Sequence, residues 1–231
     1  MLIKTEPPSL QSHPRKERTL AYKLFYALGS ASMGTRVLLE EIGAPYELIQ
    51  TTIDMDQPRP PELLALNPNG WIPVLIWGDQ AIYECAAIAV FLCDRHPEAE
   101  LAPRIDDPER GLFLQTLVYF ASSVQNAFQL SYYPERFADR PADEPGAQRR
   151  GNRRLRETWQ VIDDQIGDKE WILGERFSAA DIYLFMLTTW LQPSRGHPSV
   201  EAFPNVQRIA DAVMARPSVQ LVYEAWIAER E

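Results

Sequence analysis

Apolar residues in the first hundred positions of the chain recur with two different periods. Short runs rich in aromatic and β-branched residues predict strands, and stretches with apolar residues three or four apart predict helices. Strands are predicted over residues 22–28, 45–49, 74–77 and 81–83. Helices are predicted after a small-residue loop at 29–34 as far as about residue 42, then over 61–66 and 84–94. With a hairpin turn at Gly78-Asp79-Gln80, the order is β-α-β-α-β-β-α.

This order predicts a small open sheet with helices packed against it, the thioredoxin type of arrangement. Beyond it, the pattern is helical throughout, with helices predicted over 109–137, 147–166, 179–191, 203–215 and 218–228. The sequence therefore predicts an α/β domain followed by an all-α domain. The expected boundaries are a mobile N-terminal arm at 1–20, a thioredoxin-like domain at 21–96, a Pro-rich linker at 97–108 and an all-helical domain at 109–231.

The composition excludes several classes of function. The chain has 231 residues and a net charge of −9, which argues against nucleic acid as the main partner. No apolar run approaches the roughly 20 residues of a membrane helix, and the N-terminus lacks the apolar core of a secretory signal. The three histidines His13, His96 and His197 are scattered without metal-ligand spacing, so no metal is expected.

The two cysteines, Cys85 and Cys93, lie on one predicted helix. Eight residues along a helix separate them by about 12 Å, too far for a disulfide. Free cysteines are typical of a reducing compartment, so we expect a cytoplasmic protein.

The segment Asn67-Pro-Asn-Gly-Trp-Ile-Pro-Val-Leu75 places Pro73 at the start of a strand, where proline cannot donate a ladder hydrogen bond. A cis bond between Ile72 and Pro73 accounts for a proline at this position. It presents the backbone N–H and C=O of Ile72 as a pair that an extended peptide can bind. Glu84 and Cys85 then open a helix, a second point that can bind an anion and an amine.

These motifs resemble those of the cytosolic glutathione transferase superfamily over about residues 22–230. Asn67-Pro68 followed by Ile72-Pro73 is similar to the loop that binds the cysteinyl backbone of glutathione. Glu84-Cys85-Ala-Ala-Ile88 is similar to the signature that holds its γ-glutamyl end.

Two further segments carry the resemblance. Residues 29–36 resemble the active-site loop, and Phe177-Ser178-Ala-Ala-Asp181-Ile182 resembles the capping box of the central helix. The layout is similar to the bacterial β-class. The resemblance implies a homodimer that uses glutathione as a cosubstrate, without a metal, in detoxification. Ser178 and Asp181 are expected to be structural.

A catalyst of this kind must stabilise a thiolate, for which a hydroxyl donor and a helix N-terminus suffice. In the serine-type enzymes of the superfamily the hydroxyl lies four residues before an arginine, as Ser32 does before Arg36. Ser32 is therefore the first candidate, although it is also placed to cap the helix. Ser30 is the second candidate and Tyr26, on the first strand, is the third.

The chain departs from the family pattern at two positions. Ala31 stands where the β-class carries a cysteine, so it cannot form that class's mixed disulfide with glutathione. Cys85 replaces the usual serine, which removes a hydroxyl contact to the γ-glutamyl carboxylate but keeps the backbone N–H.

The remaining site residues follow from the resemblance. Glu84 is expected to accept from the γ-glutamyl ammonium, and Asn67 to hold the loop together. The predicted glutathione-binding residues are Ile72, Pro73, Glu84, Cys85, Asn67, Trp71 and Arg36. The predicted electrophile pocket comprises Met33, Gly34, Phe120, Ser123, Gln125 and Asn126, with Tyr132, Tyr133 and Trp190 as further candidates.

The function indicated is attack of glutathione thiolate on a small hydrophobic electrophile, by conjugation, thiolytic ether cleavage or dehalogenation. One alternative is a non-catalytic binding or regulatory protein that keeps the fold. Another is a glutathione-dependent isomerase or peroxidase. Retention on glutathione resin together with a thiolate signal distinguishes the enzyme from the non-catalytic module.

Overall fold

The strands form one mixed sheet in a computed structural model that describes residues 21–228. The arm predicted at residues 1–20 lies outside the described residues. The strands are β1 (Tyr22–Tyr26), β2 (Tyr46–Gln50), β3 (Val74–Trp77) and β4 (Gln80–Tyr83). Their order is β2-β1-β3-β4, with β1 parallel to β2 and the other pairs antiparallel. This topology confirms the predicted thioredoxin-like fold.

Helices cover both faces of this sheet because side chains on β1 alternate between them. Three helices belong to this half: α1 (Ser32–Ile42), α2 (Pro61–Leu66) and α3 (Cys85–Arg95). Leu24 and Tyr26 face the main core with α1 and α3, whereas Phe25 packs with Leu63 of α2 on the other face.

The second half is helical, as predicted. Its helices are α4 (Arg110–Tyr119), α5 (Gln125–Tyr132), α6 (Glu144–Ile166), α7 (Ala179–Thr188), α8 (Pro204–Met214) and α9 (Pro217–Ala228). Every residue of α7 from 179 to 187 is buried, which makes α7 the central helix. Among residues 21–228, no helix is both long and apolar enough to cross a membrane.

The prediction of one continuous helix over 109–137 was wrong. Residues Phe120–Val124 form a π-helical turn between α4 and α5. Such a turn inserts an extra residue per turn and changes which side chains share a face. The helix ends at Tyr132 because a proline at 134 disfavours helical backbone at the residue before it.

The two halves are joined through α1. Gly34 lies so close to α7 that an added Cβ would be 2.6 Å from Sδ of Met186. At the far end of α1, the carboxylate of Glu41 accepts hydrogen bonds of 2.7 Å from both Nε and Nη2 of Arg216. These contacts hold the helical half firmly against the sheet and create a cleft on one side of the joint.

Candidate active site

The cleft lies between the two halves and has a volume of about 580 Å³. Its first wall consists of the loop before α1, the loop before β3 and the start of α3. Its second wall consists of the π-helical turn, α5, the residues after α7 and part of α9. This volume is within the range of about 300–1,000 Å³ that is usual for small-molecule sites.

The loop before β3 is held by Asn67, which is 2% exposed. Its side-chain amide donates to the carbonyl of Trp71 at 2.8 Å and accepts from the backbone N–H of Asn69 at 3.2 Å. The peptide bond between Ile72 and Pro73 is cis. Within the described residues, the N–H and C=O of Ile72 have no hydrogen-bond partner. They therefore offer one donor and one acceptor to a peptide in the cleft.

The start of α3 provides the second binding point. Glu84 precedes the helix with φ of +73° and lines the cleft with an exposed side chain. The first N–H groups of an 11-residue helix have no acceptor within it, and Cys85 is its first residue. A carboxylate acceptor beside free N–H donors is suited to an amino acid end, because both of its charged groups find a partner.

Cys85 also lines the cleft, but its thiol is not poised for reaction. Burial, together with the neighbouring Glu84 carboxylate, raises the pKa of Cys85 to about 12. Burial raises the pKa of Cys93 to about 12 as well. Since the nucleophile is the thiolate, neither cysteine is a good candidate for redox chemistry.

We expect the Cys85 thiol to react with iodoacetamide about 1000-fold more slowly in the folded protein than in the unfolded chain near neutral pH. The reason is that thiolate population falls tenfold for each unit by which the pKa rises. Mass spectrometry of the Cys93→Ala variant, with and without urea, measures this ratio at a single thiol. Equal labelling in both states would show that the Cys85 thiol is not suppressed by the fold, and faster labelling of the folded protein would show that it is activated.

The two serines before and at the start of α1 share one carbonyl. The hydroxyl of Ser30 donates to the carbonyl of Ala27 at 2.7 Å, and that of Ser32 also reaches this oxygen, at 3.3 Å. The two hydroxyl oxygens are 2.6 Å apart. Ser30 and Ala31 line the cleft, whereas Ser32 is fully buried and does not.

Three other predicted site residues lie outside the cleft lining: Tyr26 as a catalytic candidate, Arg36 as a glutathione-binding residue and Met33 in the electrophile pocket. Tyr26 is buried in β1, and the Arg36 guanidinium lies 5.4 Å from its ring centre. Arg36 donates from Nε to the hydroxyl of Tyr46 at 3.0 Å, which turns it away from the cleft. Met33 is buried and accepts a hydrogen bond from the N–H of Gly29 through its sulfur.

Of the residues predicted to form the electrophile pocket, some line the cleft and others do not. Gln125 and Asn126 line the cleft, as do Tyr132, Tyr133 and Trp190. Gly34 faces Met186 in the joint, and Phe120 is buried against Tyr183. Ser123 lies on the π-helical turn, whose cleft side is formed by Ala121 and Ser122 instead. The changed helical register is the physical reason for this last difference.

The second wall is ordered by a buried histidine. The backbone N–H of Gln192 donates to Nδ1 of His197 at 3.1 Å, so Nε2 carries the proton and donates to the Ser131 hydroxyl at 2.7 Å. The hydroxyl of Tyr132 donates to the carbonyl of Trp190 at 2.6 Å. These bonds fix the residues after α7 to α5, so the aromatic side of the cleft is rigid.

Sequence reasoning missed several lining residues, above all Arg59, Gln129, Gln192 and Trp226. Nη1 of Arg59 donates to the carbonyls of Thr52 and Asp54, each at 2.9 Å, which places a cation at the cleft edge. A lone arginine between prolines carries no motif, and Trp226 reaches the cleft only through the packing of α9. Residues 21–228 hold no group of three or more His, Cys, Asp or Glu side chains that could bind a metal.

Two family models match the chain. One, described as the glutathione S-transferase N-terminal domain, matches residues 30–95. The other, described as the glutathione S-transferase C-terminal domain, matches residues 116–217. Together they include both walls of the cleft, apart from the edge that Gly29 and Trp226 contribute.

Known proteins similar to this chain align over nearly their whole length. The uncharacterized GST-like protein YncG of Escherichia coli K12 is 30% identical over 204 residues, with 87% of this chain and 96% of that protein covered. Glutathione S-transferase GstA of Escherichia coli O157:H7 is 27% identical over 202 residues, with 86% of this chain and 95% of that protein covered. The structure of a sphingomonad glutathione S-transferase complexed with glutathione has a TM-score of 0.75 at 25% identity. The match covers 88% of this chain and 98% of that one.

Proposed function

Since this chain belongs to the glutathione S-transferase family, we propose that its cleft binds glutathione and that the protein transfers electrophilic groups to the glutathione sulfur. One observation carries the proposal. A backbone donor and acceptor at Ile72, a carboxylate and free helix N–H groups at Glu84–Cys85, and a hydroxyl at Ser30 all line one cleft. Glutathione has a chemical group for each of them.

The tripeptide is matched to these groups from end to end. The ammonium of its γ-glutamyl unit pairs with the Glu84 carboxylate, and the adjacent carboxylate accepts from the first N–H groups of α3. The cysteinyl backbone pairs with Ile72. The glycyl carboxylate is anionic, and Arg59 supplies a fixed cation at the cleft edge for it.

The sulfur would lie beside Ser30 at the start of α1. When the Ser32 hydroxyl donates to the Ala27 carbonyl, the Ser30 proton is free to turn towards the sulfur. The positive end of the α1 dipole adds to this stabilisation. We therefore assign the direct hydrogen bond to Ser30 and a supporting role to Ser32, because only Ser30 lines the cleft.

The chemistry is a nucleophilic substitution or addition. Glutathione loses its thiol proton to solvent, and the thiolate attacks an electrophilic carbon. A carbon–sulfur bond forms while the bond to the leaving group breaks, with its electron pair departing on that group. The protein's contribution is to bind and orient the tripeptide and to lower the cost of holding the sulfur as an anion.

Replacing Glu84 with glutamine is expected to weaken glutathione binding about tenfold. The reason is that a hydrogen bond between two charged groups contributes about 1.5–3 kcal/mol, and glutamine removes the charge while keeping the shape. Isothermal titration calorimetry of glutathione measures the effect. Glu157→Gln on the exposed surface of α6 is the matched control and should bind as the wild type does.

The test of the proposed function combines binding and turnover. Glutathione should bind, a thiolate absorbance should appear on the bound ligand near neutral pH, and 1-chloro-2,4-dinitrobenzene should be converted to its conjugate. Binding without thiolate or turnover across a panel of electrophiles, ethers and peroxides would identify a non-catalytic module instead. A homodimer is also proposed, and light scattering on the eluting protein tests it.

A further inference from the structure

Three arginines lie at the aromatic part of the cleft: Arg59 lines it, and Arg136 and Arg195 contact rings that line it. Within residues 21–228, Arg59, Arg136 and Arg195 form no ion pair. Arg59 donates only to backbone carbonyls and to a methionine sulfur. Arg136 has one long bond to the side-chain oxygen of Gln129, at 3.4 Å. A concentration of uncompensated cations is unexpected in a chain with a net charge of −9.

Two of these arginines stack on rings that line the cleft. The guanidinium carbon of Arg136 lies 4.8 Å from the ring centre of Trp71, and that of Arg195 lies 4.8 Å from the ring centre of Tyr132. Tyr133 lies between these rings, with centroids 5.5 Å from Trp71 and 6.4 Å from Tyr132. The arrangement is a row of three aromatic rings, tilted to their neighbours by 56° and 48°, with a cation at each end.

The charges of all three arginines act on one residue of this row, Tyr133. Burial raises the pKa of Tyr133, and the positive charges of Arg59, Arg136 and Arg195 oppose that rise. Among the described residues, the acidic group that also acts on Tyr133 is Glu135, whose side chain is exposed and forms no ion pair with them. Three cations and one anion therefore lie near Tyr133 at this end of the cleft.

We infer that the acceptor half of the cleft selects a planar aromatic electrophile that carries a carboxylate. The inference rests on the proposed function and names its substrate class. The aromatic ring packs against the row formed by Trp71, Tyr133 and Tyr132, and the carboxylate pairs with Arg136 or Arg195 at its ends. Arg59 lies just before α2, beside Gly70 of the loop that carries Trp71, and is left for the glycyl carboxylate of glutathione.

A suitable reaction is the conversion of 4-chloro-3,5-dinitrobenzoate. The glutathione thiolate attacks the ring carbon that bears chlorine, the carbon–sulfur bond forms, and chloride leaves with the bonding electrons. The thiol proton goes to solvent, so no oxidant or reductant is needed. The carboxylate on the far side of the ring takes no part in the step and serves only for recognition.

Binding is tested with probes that cannot react, 3,5-dinitrobenzoate and its methyl ester, by isothermal titration calorimetry with the full chain. We expect the carboxylate to bind about tenfold more tightly than the ester at low ionic strength, and this preference should decline with added salt. Arg136→Gln and Arg195→Gln should each reduce it about threefold to fivefold, and the double variant should abolish it. Arg140→Gln, an exposed arginine paired with Asp143 on the same segment, is the matched control.

Two results would overturn the inference: equal affinity for acid and ester in the wild type, or a preference that survives in the double variant. A rise in the dissociation constant of glutathione in Arg136→Gln and Arg195→Gln, with unchanged probe binding, would also overturn it. These measurements do not depend on turnover. Failure of the proposed function gives a different result: neither 1-chloro-2,4-dinitrobenzene nor 4-chloro-3,5-dinitrobenzoate is converted. Binding of glutathione and of the two probes is measured in separate titrations, so it is not affected by that failure.

Discussion

Alanine in place of Ser30 lowers the kcat/KM of conjugation about 100-fold, with the dissociation constant of glutathione within about twofold of the wild type. This is the expected result because removal of one donor to a developing or bound anion typically costs about 100-fold to 1000-fold in rate. The thiol pKa of bound glutathione should rise in the variant. Ultraviolet titration of the thiolate and steady-state kinetics measure the two effects.

Ser32→Ala provides the comparison that separates the two hydroxyls. Without Ser32, the Ser30 proton is the one side-chain proton within reach of the Ala27 carbonyl among the described residues, so it stays there. We expect a loss of about tenfold, and a double variant no slower than Ser30→Ala, because the two serines act as a unit. A greater loss in Ser32→Ala than in Ser30→Ala would make Ser32 the direct donor. Ser123→Ala, outside the cleft, is the control and should keep full activity.

The largest expected loss of stability comes from Asp181→Asn. The fully buried carboxylate accepts hydrogen bonds of 2.9 Å from the N–H of Ile172 and from both the N–H and the hydroxyl of Ser178. Asparagine has the same size but must point an N–H₂ group at one of these donors. We expect about 3 kcal/mol less free energy of unfolding, since a cap bond is lost and a buried donor is left unpaired.

The midpoint of urea unfolding, measured by circular dichroism, should be about 1 M lower in Asp181→Asn than in the wild type. Asp211→Asn on the exposed face of α8 is the matched control and should leave the midpoint unchanged. An unchanged midpoint in Asp181→Asn would mean that the capping box at the start of α7 does not stabilise the joint. Since α7 packs on α1, such a result would also weaken the account of how the cleft is held open.

Several features of the molecule were predicted from local chemistry alone. The element order followed from hydrophobic periodicity, because a strand and a helix expose their apolar side chains at different spacings. The loop around Asn67, Pro73 and the Glu84–Cys85 helix start was identified because proline, and the first residue of a helix, have hydrogen-bonding constraints that do not depend on distant contacts. Gln125 and Asn126, expected in the electrophile pocket from the family resemblance, line the cleft, and their role stays a prediction.

Other predictions required distances between remote residues. The sequence pattern ranked Ser32 above Ser30 for its distance from Arg36, whereas in the structure Ser30 lines the cleft and Ser32 does not. The π-helical turn at Phe120–Val124 moves Ser123 out of the cleft, and nothing in the residue pattern marks it.

The sequence alone determined the class of fold and the backbone groups that the proposed function assigns to glutathione, because turns, helix starts and proline act within a few residues. The tertiary structure alone decided which hydroxyl faces the cleft and which cations gather around Tyr133. Arg59 lies on a loop, whereas Arg136 and Arg195 end two short 3₁₀ helices. Arg136 and Arg195 both belong to the helical half, and Arg59 joins them because α1 and α7 hold the two halves together. Electrostatic effects depend on distance in space and not on separation along the chain.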